Sequence, residues 1–311
     1  MKKLFMTVAL VAVLALAGTA VLAGCGSKDA DSPDGDAAAE KGTVTIGSKD
    51  FTENVILADI YQLALEDKAG LEVKRVELAS SAVNTALQNG DIDLYPEYTG
   101  TGLLDVLKTT APSNDPQVVY DTVKDAYKTQ FDIIWLDYAQ ANDGQGVAVT
   151  KAISDQYGIT TISDLQKNAT EIRFVSQGEF IERSDGLPAL ETVYGPFAFK
   201  DKLVIDNALK YETLLKGDGD AVVAYTTEGA LTNPELVLLE DDKFAWPPYN
   251  IAPVVRASVL EAYPNIADVL NAVNAKIDTP TITGLNAKVD VDGQEADKVA
   301  KEFYDSIKDQ L

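Results

Sequence analysis

Leu87-Gln-Asn-Gly-Asp-Ile-Asp93 is followed, five residues after its last aspartate, by the pair Tyr98-Thr99. The pattern returns as Leu214-Leu-Lys-Gly-Asp-Gly-Asp220, with Tyr225-Thr226 at the same distance. Each copy reads as a helix end, a glycine cap, a short strand and a tyrosine delivered at the strand's carboxyl end. A glycine stop before a strand is common in α/β chains, so coincidence is the competing explanation. Taken as a repeat, the two copies imply two lobes that each present one tyrosine to a shared cleft.

Outward from these copies, short apolar runs alternate with helical patterns. Strands are expected at Val44–Ile46, Val73–Leu78, Ile92–Tyr95, Ile133–Leu136, Val147–Thr150, Ile172–Ser176, Leu203–Ile205, Ala221–Ala224 and Ile251–Arg256. Asp50 and Glu53 have capping-box spacing at the start of a helix that runs toward Lys68. Ser81–Asn89 predicts a helix stopped by Gly90. Glu295–Gln310 predicts an amphipathic helix with Ala296, Val299, Ala300, Phe303 and Ile307 on its buried face. Such alternation predicts α/β lobes with largely parallel sheets, whose sites lie at the carboxyl ends of strands.

The 311-residue chain has one cysteine and no histidine. Lys2 and Lys3, the apolar run from Leu4 to Leu22 and Leu22-Ala-Gly-Cys25 describe a secretory signal. Its ending resembles a bacterial lipobox, with cleavage before Cys25 and a lipid on the thiol. An uncleaved membrane-spanning helix is the alternative, since the run is about long enough to span. Residues 1–24 are thus read as a signal and 25–41, rich in Asp, Ser, Gly and Ala, as a lipid-anchored tether. Either way the remainder works outside the cytoplasm.

These absences exclude much chemistry. There is no Ser-His-Asp triad, no Cys-His pair and no zinc site of the usual nitrogen and sulfur ligands; neither metal nor cofactor is expected. Without disulfides, the core alone must hold the fold, and roughly 270 residues are enough for two lobes. The formal charge of −23 argues against nucleic acid as a partner. It suits a cationic or zwitterionic solute, although solubility alone also explains it.

Asp93-Leu-Tyr-Pro-Glu-Tyr-Thr-Gly-Thr101 crowds Tyr95 and Tyr98 around a proline turn, and Trp246-Pro-Pro-Tyr249 carries two aromatics on a stiff elbow. Tyrosine faces attract alkylammonium groups at about 0.5–2 kcal/mol per contact. Several rings together would cage a methylated ammonium. Tyr95 and Trp246 read better as core.

Five segments stand in register with one family: Gly47-Ser-Lys-Asp-Phe-Thr-Glu-Asn54, Tyr95–Thr101, Glu179-Phe-Ile-Glu-Arg-Ser-Asp-Gly186, Ala224-Tyr-Thr-Thr-Glu228 and Pro247-Pro-Tyr249. Over residues 42–311 the chain resembles the substrate-binding lipoproteins of osmoprotectant ABC importers, the glycine betaine, carnitine and choline group. The resemblance implies a type II periplasmic-binding-protein fold of two lobes joined by two crossovers. It further implies capture of a small solute, delivery to a membrane permease with a cytoplasmic ATPase, and no catalytic step. Lobe one is expected from 42–143 and 250–311, lobe two from 144–249, in a monomer lipid-anchored to the outer face of the cell membrane.

Carried over position by position, Tyr98, Tyr225 and Tyr249 resemble cage tyrosines around a trimethylammonium head. Lys49, Thr101 and Arg183 resemble the groups that hold a ligand carboxylate. Ion pairing competes at Arg183, which has Glu179, Glu182 and Asp185 beside it. One departure stands out: a further cage tyrosine common in relatives falls here on Gln145. Asn142, Asp143 and Gln145 would instead hydrogen-bond a ligand bearing N–H or O–H groups, so a less methylated amine or an amino acid remains open. A solute sensor is a second alternative. The remote one is an extracellular hydrolase using Glu97 and Glu228.

Overall fold

A computed structural model describes residues 42–311; the signal, Cys25 and the tether lie outside the described residues. Ten strands form two five-stranded sheets. In chain order they are β1 (Thr43–Lys49), β2 (Glu72–Leu78), β3 (Leu94–Tyr98), β4 (Ile133–Trp135), β5 (Gln145–Thr150), β6 (Arg173–Ser176), β7 (Asp201–Val204), β8 (Ala221–Tyr225), β9 (Leu236–Leu238) and β10 (Ile251–Arg256). The first sheet has the order β2-β1-β3-β10-β4, the second β7-β6-β8-β5-β9. In each, one strand runs antiparallel to its neighbours: β10 against β3 and β4, β5 against β8 and β9. Those two are the strands that follow the two passages of the chain between sheets, through residues 136–144 and 239–250.

The repeat is structural. Gly90 and Gly217 both adopt left-handed backbone (φ 83° and 79°), the conformation that stops a helix and that glycine enters without a Cβ penalty. Asp93 then accepts the Thr45 N–H on its carboxylate while its own N–H donates to the Thr45 carbonyl. Asp220 repeats both bonds with Arg173. Each aspartate therefore seals the start of one strand against the next. This is also why β3 begins at Leu94 and not at Ile92: the Asp93 side chain occupies the first ladder position.

Helix Thr52–Lys68 buries Ile56, Leu57, Ile60, Tyr61, Ala64 and Leu65. Each such isoleucine or leucine contributes about 1.5–3 kcal/mol. The C-terminal helix Ala296–Ile307 packs against it. Its buried residues are Val299, Ala300, Tyr304 and Ile307; Phe303 is only half-buried, because Tyr304 turns inward to donate 2.6 Å to Asp67 Oδ2.

Two local expectations fail. The Asp50–Glu53 capping box does not form: the helix starts after Phe51 without a side-chain cap. Asp50 instead accepts the Ser80 N–H and hydroxyl, and Glu53 turns into the interior. Nor does Pro96 make a turn. It sits within β3, directly opposite Pro253 of β10. β1 pairs with β3 only at Leu94, so Pro96 has no ladder donor to supply there, and its carbonyl accepts from Asn54 Nδ2 at 2.8 Å.

Candidate functional site

The two passages between sheets lie side by side. Asp143 N–H donates to the Tyr249 carbonyl, the Tyr249 N–H to Asn142 Oδ1 at 2.5 Å, and Asn142 bridges Asn250. Thr99 accepts the Asn250 N–H on its hydroxyl and donates that hydroxyl to the Pro248 carbonyl. Thr226 does the same to the other passage, accepting from Gly144 N–H and donating to the Asn142 carbonyl. The threonine of each tyrosine–threonine pair thus clamps one crossover. Asn142 is consequently engaged by backbone and hinge.

Directly before each clamp stands a tyrosine. Tyr98 ends β3 and is 3% exposed, its hydroxyl donating to Glu53 Oε1 at 3.0 Å and accepting from Asn54. Tyr225 ends β8 and accepts from Gln177 Nε2 at 2.8 Å. Burial raises the Tyr225 phenol to about 12, so the ring remains neutral at physiological pH. Tyr249 lies on the second crossover, its ring so close over Gly100 that a Cβ there would approach it to 2.6 Å.

Each lobe adds a lysine to its tyrosine. Lys49 Nζ lies 4.8 Å from the Tyr98 centroid and 2.5 Å from Glu97 Oε1. Lys210 Nζ lies 4.8 Å from the Tyr225 centroid and 2.6 Å from Glu228 Oε1. Glu97 also accepts from the Tyr95 hydroxyl and the Tyr98 N–H, Glu228 from the Tyr211 hydroxyl and the Tyr225 N–H. Lys49 therefore has its own carboxylate. Glu97 and Glu228, the pair a hydrolase would need, are both bound into ion pairs. Lys210 and Tyr211 carried no signal in the sequence.

The Arg183 region repeats the theme. Its guanidinium grips Asp185 through Nε (2.9 Å) and Nη2 (2.6 Å), which keeps it charged. Asp185 accepts as well from Gln145 Nε2 (2.9 Å) and the Tyr249 hydroxyl (3.3 Å), and its carbonyl takes the Trp246 indole N–H at 2.6 Å. Gln145, the register partner of Tyr225, is 7% exposed, and its amide donor is turned to Asp185. Trp246 and Tyr95 are buried, as core positions should be. Tyr138 packs on Tyr120 with its hydroxyl toward Gln117. Thr101 is half-buried on the short helix Thr99–Thr101.

Between the lobes lie two carboxylates with only neutral hydrogen-bond partners. Glu53, 3% exposed, accepts from the Tyr98 hydroxyl and from Asn286 Nδ2. Asp143 accepts from the Thr227 hydroxyl at 2.7 Å. Burial holds both carboxyls above their ordinary range; Glu228 adds to the effect on each, and Glu53 adds further to that on Asp143. Asn286, on helix Thr279–Asp290, also donates to the Thr227 carbonyl at 2.8 Å, which joins the first lobe to the second. Two residues on from Thr227, Gly229 presses against the Ala287 backbone so closely that a Cβ would meet it at 2.5 Å. The lobes are in contact.

Among the described residues, no three His, Cys, Asp or Glu side chains converge on a metal site. What the arrangement brings together is three tyrosine rings and an excess of carboxylates at two strand ends, beside two paired crossovers.

Comparison with known proteins agrees with this architecture. Residues 42–306 match the family model described as the substrate-binding domain of an ABC-type glycine betaine transport system. The chain is 34% identical over 271 residues to the glycine betaine-binding protein YehZ of Escherichia coli (strain K12), covering 84% of this chain and 89% of that one. It is 29% identical over 273 residues to the ergothioneine transport permease/ergothioneine binding protein EgtU of Helicobacter pylori (strain G27), 87% of this chain but 48% of that longer protein. A solved structure of a glycine betaine/carnitine/choline ABC transporter superposes with a TM-score of 0.75 at 29% identity, over 85% of this chain and 98% of the other. The two lobes and their swapped strands are the type II periplasmic-binding-protein fold, and the chain belongs to the family of substrate-binding domains of ABC-type glycine betaine transport systems.

Proposed function

We propose that this protein is the extracytoplasmic solute-binding component of an ABC importer, capturing a quaternary-ammonium compatible solute such as glycine betaine, carnitine or choline and handing it to the permease. The observation that carries this is the placement of Tyr98 and Tyr225 at equivalent strand ends, with Tyr249 on the crossover between them. Both strand-end rings already lie near an ammonium group, so their faces suit cations. The ligands named for two relatives, glycine betaine and ergothioneine, support the same chemistry. Closure around the solute would be a hinge motion about the paired crossovers.

Titration calorimetry of the purified protein with glycine betaine, carnitine and choline tests the assignment. Micromolar or tighter binding of any one supports it, and the absence of heat with all three removes it.

Anchoring belongs to the same proposal. Cys25 at the end of the signal would carry a lipid and hold the protein, as a monomer, to the outer face of the membrane. Cys25→Ala should move the protein from the membrane fraction to the soluble fraction without changing ligand affinity. Retention in the membrane would favour an uncleaved anchor.

A further inference from the structure

Eight ionisable side chains gather where the lobes meet: the carboxylates Glu53, Glu97, Asp143, Asp185 and Glu228, and the cations Lys49, Arg183 and Lys210. Each cation is closed into an ion pair with one carboxylate, Lys49 with Glu97, Arg183 with Asp185 and Lys210 with Glu228. Two carboxylates remain, Glu53 and Asp143, and only hydroxyls and an amide hydrogen-bond them.

Asp143 holds a particular place in the repeat. Thr226 N–H donates to the Gly144 carbonyl as Thr99 N–H donates to the Asn250 carbonyl. The residues before those two carbonyls are Asp143 and Tyr249, so Asp143 stands in the first crossover where a ring wall stands in the second. An independent feature points the same way. The Asn286 amide sits between Glu53 and Thr227 with its nitrogen committed to both, and its buried Oδ1 has no hydrogen-bond donor. Buried acceptors without donors are costly, and a ligand that brings donors removes the cost.

We infer that the ligand of this cleft carries a net positive charge, no carboxylate and at least one O–H or N–H donor, and that Asp143 is the residue that selects it. This rests on the proposed solute-binding role of the cleft and narrows it. A zwitterion would bring a carboxylate to a site whose cations are already paired and whose two remaining groups are acids. A hydroxylated or partly methylated alkylammonium ion instead supplies charge to Asp143 and Glu53 and a donor to the Asn286 oxygen. Thr227 hydrogen-bonds Asp143, and the titratable groups whose charge is felt there are Glu53, Glu228, Lys49, Lys210, Tyr98, Tyr211 and Tyr225. Since Asp143 resists ionisation there, a cationic ligand takes the place of its proton.

The test is calorimetric titration of the full-length protein with choline, glycine betaine and tetramethylammonium. Choline is expected to bind at least tenfold more tightly than either glycine betaine, which adds a carboxylate, or tetramethylammonium, which lacks a donor. In Asp143→Asn, choline should lose at least tenfold while glycine betaine changes less than threefold. Glycine betaine binding as tightly as choline in the unaltered protein would overturn the inference and leave the importer role standing, without need of a folded variant. Equal losses for both ligands in Asp143→Asn would overturn the assignment to Asp143. Binding by none of the three would overturn the inference, and carnitine, the remaining solute of the proposed group, would then decide whether the solute-binding role stands.

Discussion

Glu97 and Glu228 do the same task in the two lobes: each accepts the backbone N–H of a strand-end tyrosine together with the ammonium of the lysine that lies over that tyrosine's ring. Glu97 directly precedes its tyrosine, whereas Glu228 follows by three residues, so the two lobes reach one arrangement by different local routes.

Removing Glu97 should therefore be severe. Its pair with Lys49 is nearly enclosed, with side chains 1% and 6% exposed. Glu97→Gln leaves a buried ammonium without a counter-charge, at a cost of about 3–5 kcal/mol. Glu228→Gln strands Lys210, whose side chain is 2% exposed, but Glu228 itself is 20% exposed and gives water access to the pair, so the cost should be smaller, about 1–3 kcal/mol. Urea unfolding measures both. A loss at Glu97 no larger than that at Glu228 would mean that Lys49 finds water in the variant.

Alanine at Tyr98, Tyr225 or Tyr249 should weaken binding of a quaternary-ammonium ligand by about 0.5–2 kcal/mol or more for each lost ring contact. Tyr225→Phe should be milder, because the ring face survives and only the Gln177 hydrogen bond is lost. Calorimetry on the three alanine variants decides the matter, and unchanged affinity in all of them would dismiss the cage.

Gly229 reports on closure. Any side chain there meets the Ala287 backbone across the lobes, and backbone has little room to yield. In Gly229→Val the lobes should stay apart. Small-angle scattering should show a larger radius of gyration, and ligand affinity should fall at least tenfold although no cleft residue has changed. A variant with the original radius and affinity would show that this contact does not govern closing.

The buried carboxyls set a pH dependence. Asp143 and Glu53 keep their protons to higher pH when folded than when unfolded, because burial opposes their charge. In that window the folded state binds more protons, so stability falls as pH rises from about 3.8 toward the raised folded values. Asp143→Asn removes one of the two contributions. Its melting temperature should exceed that of the unaltered protein at pH 7 and match it near pH 3.5. Coincident melting curves at both pH values would refute the account. The stabilised variant is also the one expected to bind cations poorly, a trade familiar at functional sites.

Much of the fold was legible because its cues are local. Gly90 and Gly217 stop helices by backbone conformation, and Asp93 and Asp220 recur at fixed distances from them, so the repeat in sequence became a repeat in space. Tyr98, Tyr225 and Tyr249 could be chosen because strand ends and proline elbows determine where a ring is carried. The partners of the cleft cations were less legible. Lys49 and Glu97 are 48 residues apart, Lys210 and Glu228 18 apart. In a chain with 49 acidic residues, spacing does not say which carboxylate a buried lysine will meet. The Arg183–Asp185 pair was foreseen as a competitor because it is local. Glu53 shows the converse error, since its capping-box spacing was genuine but Tyr98 and Asn286 offered it stronger partners inside. Pro96 misled for the same reason: only the register with Pro253 explains a proline in mid-strand.

The adjacency of Tyr98 to Thr99, and of Tyr225 to Thr226, has a mechanical meaning. Within each pair a single peptide unit separates the ring from the hydroxyl that grips a crossover. If the rings hold the solute as proposed, no chain of intermediates is needed between occupancy and crossover, because ring and clamp are successive residues. On the proposed binding role, a solute that seats only one ring would steady only one crossover, a third state readable as a distinct distance between labels placed on the two sheets.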